Sequence, residues 1–389
     1  MHFFATSITL AALAASAIAA ATPLRTIQTY QGENSGRHII TLKQGASKDG
    51  VLSKARLSSN VITHDWDIIN GFAGKFNDDI LNALRSDPEV ESVTEDGIMH
   101  IVGTQTDAPW GLGRISTTPK LASQDVTALT YNYAYADDKL GSGVDIFIVD
   151  TGIRTTHVTF GGRARWGATF GGYASVDGHG HGTHCAGTAV GAQYGVSKNA
   201  NVIAVKVLSD GGSGTVADIV SGLQYVKDQA AASGHPSIVS MSLGGGASQP
   251  LDDAVASLTT AGVHVAVAAG NSNTDAGTTS PARAPSAVTV GASTIADARA
   301  SFSNYGPVVD IFAPGQDVIS AWNTNDTATN RISGTSMATP HIAGLIAYVV
   351  ARDGNDTPAA ISAKLQNQAL KGIITGIPSG TVNYLAHND

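Results

Sequence analysis

Cysteine is almost missing from this chain of 389 residues, which contains only Cys185. A single cysteine cannot form an internal disulfide, so a secreted form of this protein would need another source of rigidity. Close packing and bound metal ions are the two candidates.

Charged residues are also scarce, at 14% of the chain, and the formal net charge is −8. The Lys and Arg residues form no run in the sequence. We therefore expect no nucleic-acid partner and no membrane partner. The 42% of hydrophobic residues predicts a well-buried globular core, and the length is sufficient for two domains.

Long apolar runs are absent except at the start, where residues 1–20 combine an apolar core with small residues. This pattern is typical of a secretory signal peptide and too short for a membrane span. The sequons at Asn325 and Asn355 are compatible with secretion. We expect the protein to be secreted and extracellular.

Two composition zones follow, with a boundary near Val102 and Gly103. Residues 35–100 have the pattern of a small α+β unit. After Gly141, Val/Ile/Ala-rich strands alternate with helices, which predicts an α/β fold with a mostly parallel central sheet and helices on both faces. Ligands in such folds bind at the carboxyl ends of the strands, where Asp150 and Asn271 are placed by the pattern.

The stretch DGHGHGTHCAG, residues 177–187, allows three interpretations. His179, His181 and His184 have a spacing that could bind zinc. Alternatively, Cys185 could act as a nucleophile with His181 on one helical face, although such a cysteine is more often buried packing.

The third interpretation combines His181 with a distant carboxylate and hydroxyl. Asp150 ends a buried strand, and Ser336 precedes a long apolar helix, where free backbone N–H groups could stabilise an oxyanion. The order Asp, His, Ser matches one known arrangement of a catalytic triad.

The motifs DTGI, GHGTHCAGT and GTSMATPHIAG resemble the three active-site signatures of the subtilisin-like serine proteases, and the form HGTHCAG resembles the proteinase K branch. The resemblance implies a secreted serine endopeptidase in which Asp150, His181 and Ser336 form a hydrogen-bonded relay. It further implies that Asn271 donates to the oxyanion, that His184 is packed, and that His179 lines the cleft.

The resemblance also implies a zymogen. Residues 1–20 would be the signal peptide, residues 21–102 an inhibitory propeptide of the inhibitor I9 type with a ferredoxin-like fold, and residues 103–389 the catalytic domain. The propeptide would act as an intramolecular inhibitor, and the mature enzyme would be a monomer acting on proteins and peptides.

Substrate and calcium contacts are implied in the same way. No acid is apparent in the expected pocket, so broad specificity with an apolar or aromatic P1 residue is expected. No cofactor is expected for catalysis, but structural calcium is, bound by Asp310 with the carbonyl groups of Pro285 and Ala287. The substrate-binding candidates are Gly212, Ser213, Gly214, Leu243, Gly244 and Gly245.

Two alternatives from other classes remain open at this point. One is a zinc hydrolase built on the histidine cluster. The other is a catalytically inactive binding protein that retains the fold, against which the presence of all three triad residues argues.

Overall fold

The computed structural model describes residues 24–30, 34–57, 61–97 and 103–389. The chain divides into two compact units, Met1–Met99 and His100–Asp389. The predicted signal peptide lies outside the described residues, and so do residues 98–102 beside the predicted processing site. No helix in the described ranges is long and apolar enough to cross a membrane.

The first unit is a sheet with two helices. Its sheet order is β1-β5-β2-β4-β3, antiparallel except for the edge pair of β1 with β5. With α1 after β2 and α2 after β4, this is the ferredoxin-like arrangement of a small α+β domain, as predicted. The elements are β1 (Ile27–Gln28), β2 (Asn34–Leu42), α1 (Lys48–Lys54), β3 (Ile62–Trp66), β4 (Gly71–Gly74), α2 (Asp78–Ser86) and β5 (Val90–Gly97).

Local sequence explains why the two helices of this unit begin where they do. The side chains of Ser47 and Asn77 accept hydrogen bonds from the amides of Gly50 and Ile80, respectively, and so cap the first turns of α1 and α2. The apolar faces of these helices pack on the sheet around a core of its own that includes Phe72.

The second unit contains a larger sheet with helices on both faces. Its helices are α3 (Trp110–Ile115), α4 (His181–Val190), α5 (Val216–Ser233), α6 (Gln249–Thr260), α7 (Thr335–Asp353) and α8 (Pro358–Gln368). Its strands are β6 (Gly103–Ala108), β7 (Tyr131–Tyr135), β8 (Asp145–Asp150), β9 (Ala164–Thr169), β10 (Asn201–Lys206), β11 (Ser237–Met241), β12 (Gly245–Gly246), β13 (His264–Ala268), β14 (Thr279–Ser280), β15 (Val288–Ser293), β16 (Ile311–Pro314), β17 (Val318–Ala321), β18 (Thr329–Ile332), β19 (Leu370–Lys371) and β20 (Tyr384–Leu385).

Nine of these strands form the central sheet, in the order β19-β20-β16-β15-β13-β11-β8-β10-β9. All its neighbouring pairs are parallel except β19 with β20. The chain runs from β8 to β9 and β10 on one side and then crosses to β11 on the other. The carboxyl end of β8 is therefore a switch point, where ligands bind in open α/β sheets.

Alternating side chains of the central strands enter two separate cores. Ile146 and Ile148 of β8 pack in the core that includes α4 and α7, whereas Phe147 and Val149 pack in the core that includes α5 and α6. The predicted fold class is confirmed, because the sheet is mostly parallel and covered by helices on both faces.

Candidate active site

The carboxylate at the end of β8 and the first residue of α4 meet in the structure. Asp150 is fully buried, and its two carboxylate oxygens lie 2.8 and 2.9 Å from Nδ1 of His181. Oδ1 of Asp150 also accepts a hydrogen bond from the Thr151 amide at 2.7 Å. The carboxylate thus orients the imidazole with Nδ1 towards the sheet, which leaves Nε2 for chemistry.

Opposing effects set the charge of His181. Burial disfavours the imidazolium form, but the Asp150 carboxylate attracts it and hydrogen-bonds to it, and the net result is a pKa above the ordinary value of 6.5. A ring in this environment can accept a proton from a hydroxyl, because the cation that forms is stabilised by a buried anion.

A second buried acid, Asp177, holds the turn that leads into α4. Its Oδ1 accepts hydrogen bonds from the amides of His179 and Gly180 at 3.1 and 2.8 Å. Its Oδ2 accepts from the amide and hydroxyl of Thr183 at 3.0 and 2.5 Å, and the Thr151 hydroxyl donates to Oδ1 at 2.9 Å. An acid at the start of the histidine-rich stretch was a possible signal for this role, but Asp177 was not predicted to have it.

Ser336 is the second residue of α7, and it lines the same cleft as His181. Its hydroxyl donates to the carbonyl oxygen of Ser242 at 3.2 Å, and no hydrogen bond joins it to His181 among the described residues. The predicted Ser–His link of the relay is therefore not formed here. Catalytic hydrogen bonds are often long or poorly aligned in the absence of substrate and tighten only when substrate is bound.

The Asn271 side chain, in the loop after β13, has a defined orientation. Its Oδ1 accepts hydrogen bonds from the amide and hydroxyl of Thr335 at 2.8 and 2.9 Å, which directs Nδ2 away from Thr335. A methyl group added to Gly334 would lie 3.5 Å from the Ser336 amide nitrogen and 3.6 Å from Nδ2 of Asn271. The two nitrogens border one small space, as an oxyanion hole requires. Thr335 was not predicted to take part.

A cleft of about 760 Å³ connects these groups. His179 lines it as predicted, and among its described lining residues there is no Asp, Glu, Lys or Arg. The cleft can therefore accept apolar side chains without burying an unpaired charge. All of the predicted substrate-binding residues line it, namely Gly212, Ser213, Gly214, Leu243, Gly244 and Gly245.

The three histidines do not come together as zinc ligands. His184 is fully buried, its Nε2 lies 3.0 Å from the carbonyl oxygen of Val318, and burial lowers its pKa to about 3. In the part of the chain that the structure describes, the one cluster of potential ligands within 4.8 Å of one another includes neither His179 nor His184. The structure therefore does not bring together the three histidines that a zinc site would need.

Cys185 is also unsuited to nucleophilic attack. It is fully buried, burial raises the pKa of its thiol well above the ordinary value, and the thiol donates to the Ser336 carbonyl oxygen at 3.4 Å. The thiolate is the reactive form, so a buried protonated thiol is inert. The structure instead places this side chain as packing behind Ser336.

The predicted calcium ligand Asp310 precedes β16. Its carboxylate accepts hydrogen bonds from the Thr289 amide at 2.8 Å and from the Gln366 side chain at 3.3 Å. Burial raises its pKa to about 6, and within the described ranges no cationic side chain pairs with it. Pro285 and Ala287 lie in the turn shortly before Thr289. A partly buried carboxylate without a cationic partner offers the kind of oxygen ligand that calcium prefers.

Comparison with protein families gives two matches. Residues 141–385 match the subtilase family, described as peptidase S8. Residues 37–102 match the peptidase inhibitor I9 family. The first match lies within the second unit of the fold, and the second match covers most of the first unit and ends at residue 102.

Full-length relatives and solved structures agree with these matches. The cuticle-degrading protease of Metarhizium anisopliae is 48% identical over 92% of this chain and 92% of that protein. The alkaline serine protease ver112 of Corniculantispora psalliotae is 44% identical over 91% and 90% of the two chains. A cold-adapted subtilisin-like serine proteinase of known crystal structure is 44% identical, with a TM-score of 0.67 over 73% of this chain and 99% of that one.

Proposed function

Since this chain belongs to the subtilase family and is a subtilisin-like serine endopeptidase with an inhibitor I9 propeptide, we propose that Asp150, His181 and Ser336 are its catalytic residues. The observation that carries the proposal is the paired contact of Asp150 with Nδ1 of His181, made at the wall of the cleft that Ser336 also lines.

The proposed reaction is acyl transfer. The Ser336 hydroxyl turns from the Ser242 carbonyl to His181, loses its proton to Nε2 and attacks the scissile carbonyl carbon. The oxyanion is held by Nδ2 of Asn271 and the Ser336 amide. His181 then protonates the leaving amine, and water hydrolyses the acyl-enzyme by the same route.

The proposed specificity is broad, with an apolar or aromatic P1 residue. It is supported by the absence of acidic and basic residues from the described lining of the cleft. The glycine-rich walls at residues 212–214 and 244–246 offer backbone groups that can pair with an extended peptide. Recognition through the main chain tolerates many side chains.

Processing and secretion are part of the same proposal. The signal peptide would end near residue 20, the propeptide near Val102, and the mature enzyme would start at Gly103 as a secreted monomer. The composition change at this boundary supports the assignment, and Gly103 begins β6. Digestion of a peptide library with the mature enzyme would identify the sequences that it cleaves.

Structural calcium at Asp310, with carbonyl groups from Pro285 and Ala287, is proposed for the same enzyme. The ion would supply the positive charge that the partly buried Asp310 carboxylate lacks, and it would brace a chain that has no second cysteine. Catalysis itself would need no cofactor.

A fluorophosphonate probe tests the catalytic assignment. Active protein should be labelled on Ser336 and lose activity, and Ser336→Ala should be neither labelled nor active. A folded protein that keeps its peptidase activity after Ser336→Ala would contradict the proposal. A binding protein without catalysis would show neither labelling nor activity in the wild type.

A chelator separates the protease from a zinc hydrolase. If the activity depended on zinc, the chelator would abolish it while circular dichroism showed a protein that is still folded. Loss of activity together with loss of fold would instead indicate structural calcium.

A further inference from the structure

Lys206 is a charged residue with no solvent-exposed side-chain surface. It ends β10, directly opposite Asp150 of β8 in the sheet register. Lysine is almost never fully buried unless it is paired. Its Nζ donates to the carbonyl oxygen of Thr151 at 2.6 Å and to Oδ1 of Asp210 at 2.8 Å, and it lies 5.6 Å from the centre of the Tyr173 ring.

The two hydrogen-bond partners of Lys206 belong to different parts of the proposed site. Thr151 is the residue after Asp150, so the bond to its carbonyl holds the end of β8. Asp210 belongs to the loop of residues 209–214, four of whose residues line the cleft. Lys206 thus connects a wall of the cleft to the strand end behind it.

Asp210 makes a second connection. Its Oδ1 also accepts a hydrogen bond from the Gly178 amide at 3.2 Å, in the turn that precedes His181. A methyl group on Gly178 would lie 2.3 Å from the carboxyl carbon of Asp210, so this approach requires glycine. The hydrogen bond from Lys206 lowers the pKa of Asp210, which favours the ionised carboxylate.

We infer that Lys206 and Asp210 are positioning residues that hold the 209–214 loop against the catalytic end of the sheet. The inference rests on the proposed roles of Asp150 and His181. Neither positioning residue touches the reacting atoms. Their contribution is to fix the distance between the backbone that binds the extended substrate and the groups that cut it.

This arrangement predicts an effect that depends on substrate length. In the proposed binding mode, a tetrapeptide anilide with a P1 phenylalanine would extend along the cleft to the 209–214 loop, whereas an acylated tyrosine ethyl ester, with its single residue, would not reach it. Freeing the loop should weaken binding of the first and leave the second nearly unchanged. A residue needed only for folding would affect both substrates alike.

The main test compares Asp210→Ala with Asp228→Ala. The Asp210 side chain is itself 54% exposed, but its loss leaves buried Lys206 with the Thr151 carbonyl as its remaining hydrogen-bond acceptor, so circular dichroism must first show that Asp210→Ala is folded. Asp228 is an exposed acid on α5 outside the cleft. Asp210→Ala should raise KM for the tetrapeptide about fivefold to tenfold, with kcat for the ester changed less than about twofold. Asp228→Ala should change neither.

Further variants test the pair as a unit. Asp210→Asn keeps an acceptor for the Gly178 amide. Its KM for the tetrapeptide should therefore lie between the values for the wild type and for Asp210→Ala. Lys206→Met should reproduce the effect of Asp210→Ala, and the double variant should add little to it. If Lys206→Met does not fold, the Asp210 series decides by itself.

Equal losses on both substrates would overturn the inference, and so would a KM for Asp210→Ala that matches the Asp228→Ala control. Titration of each variant with the fluorophosphonate probe separates this outcome from failure of the proposed function. Wild-type protein that is not labelled on Ser336 refutes the catalytic assignment. Full labelling with unchanged KM refutes only the positioning role.

Discussion

At the scale of single residues, the contact between Asp150 and His181 controls the pH dependence of the proposed reaction. His181 acts as a base only when neutral, and Asp150 raises its pKa. Asp150→Asn removes the anion that favours the imidazolium. The acidic limb of the pH profile of kcat/KM should therefore move to lower pH.

The same substitution should lower kcat by about 10⁴-fold at the optimum, because the ring loses its orienting carboxylate. Both effects can be read from one series of experiments between pH 4 and pH 10 in which kcat and KM are each determined. An acidic limb that stays in place, or moves to higher pH, would contradict the assignment of Asp150.

Gly334 provides a second test at this scale. Its backbone is extended, so alanine is allowed there, but the new methyl group would occupy the space between the Ser336 amide and Nδ2 of Asn271. Gly334→Ala should fold with nearly unchanged thermal stability and lose about 10²-fold or more in kcat. Normal kcat in this variant would place the oxyanion elsewhere.

The residues found from sequence were those with a recognisable motif around them. Asp150, His181 and Ser336 each lie in a short signature, whereas Thr335 acts by orienting Asn271, which is remote in the chain. Contacts of this kind depend on tertiary structure and leave no spacing to detect. The predicted hydrogen bond from Ser336 to His181 is not formed among the described residues, where the Ser336 hydroxyl donates to the Ser242 carbonyl instead.

At the scale of elements, Gly180 sets the start of α4. Its φ is 103°, in the left-handed region, and a methyl group there would lie 2.6 Å from the side chains of Trp322 and Asn323. Gly180→Ala should therefore destabilise the protein through backbone strain and through steric overlap. Gly262 has a similar φ of 85° with open space around it.

Thermal unfolding of the two variants separates these effects. Gly262→Ala should cost about 1–2 kcal/mol for the backbone conformation alone. Gly180→Ala should cost clearly more, and it should also reduce activity because His181 is the next residue. Equal stability of the two variants would show that the contacts around Gly180 contribute nothing.

Most of the central strands were predictable because they are buried on both faces and rich in Val, Ile and Ala. Strands β9, β16, β19 and β20 of the same sheet were not predicted. The last three contain two to four residues and are defined by pairing with distant segments. In the first unit, β1, α1 and β3 were not predicted, although Ser47 provides a capping signal for α1.

For the whole molecule, the proposed zymogen makes a prediction about processing. Wild-type protein secreted from a eukaryotic host should begin at or near Gly103, because the enzyme would cut its own propeptide. Ser336→Ala should be secreted uncut, starting near residue 21. N-terminal sequencing and intact mass measure both, and an active wild type that starts near Thr22 would contradict autoprocessing.

Calcium should affect the stability of the whole catalytic unit in a pH-dependent way. The pKa of Asp310 is raised to about 6, so without an ion this carboxyl group favours the folded state at low pH, and that contribution is lost as the pH rises through 6. Calcium binds the ionised form. The increase in Tm on adding calcium should therefore be larger at pH 8 than at pH 5.

Asp310→Asn is the matched control, since it keeps the shape of the side chain without its charge. It should remove most of the pH dependence of the calcium effect. An undiminished calcium effect in this variant would assign the ion to another site.

Strand β8 sends neighbouring side chains into two different cores, Ile148 into one and Val149 into the other. Neither core can loosen without disturbing the backbone that ends in Asp150. Substitutions that loosen either core should thus lower kcat. On heating, activity should be lost at temperatures where the helices are still intact.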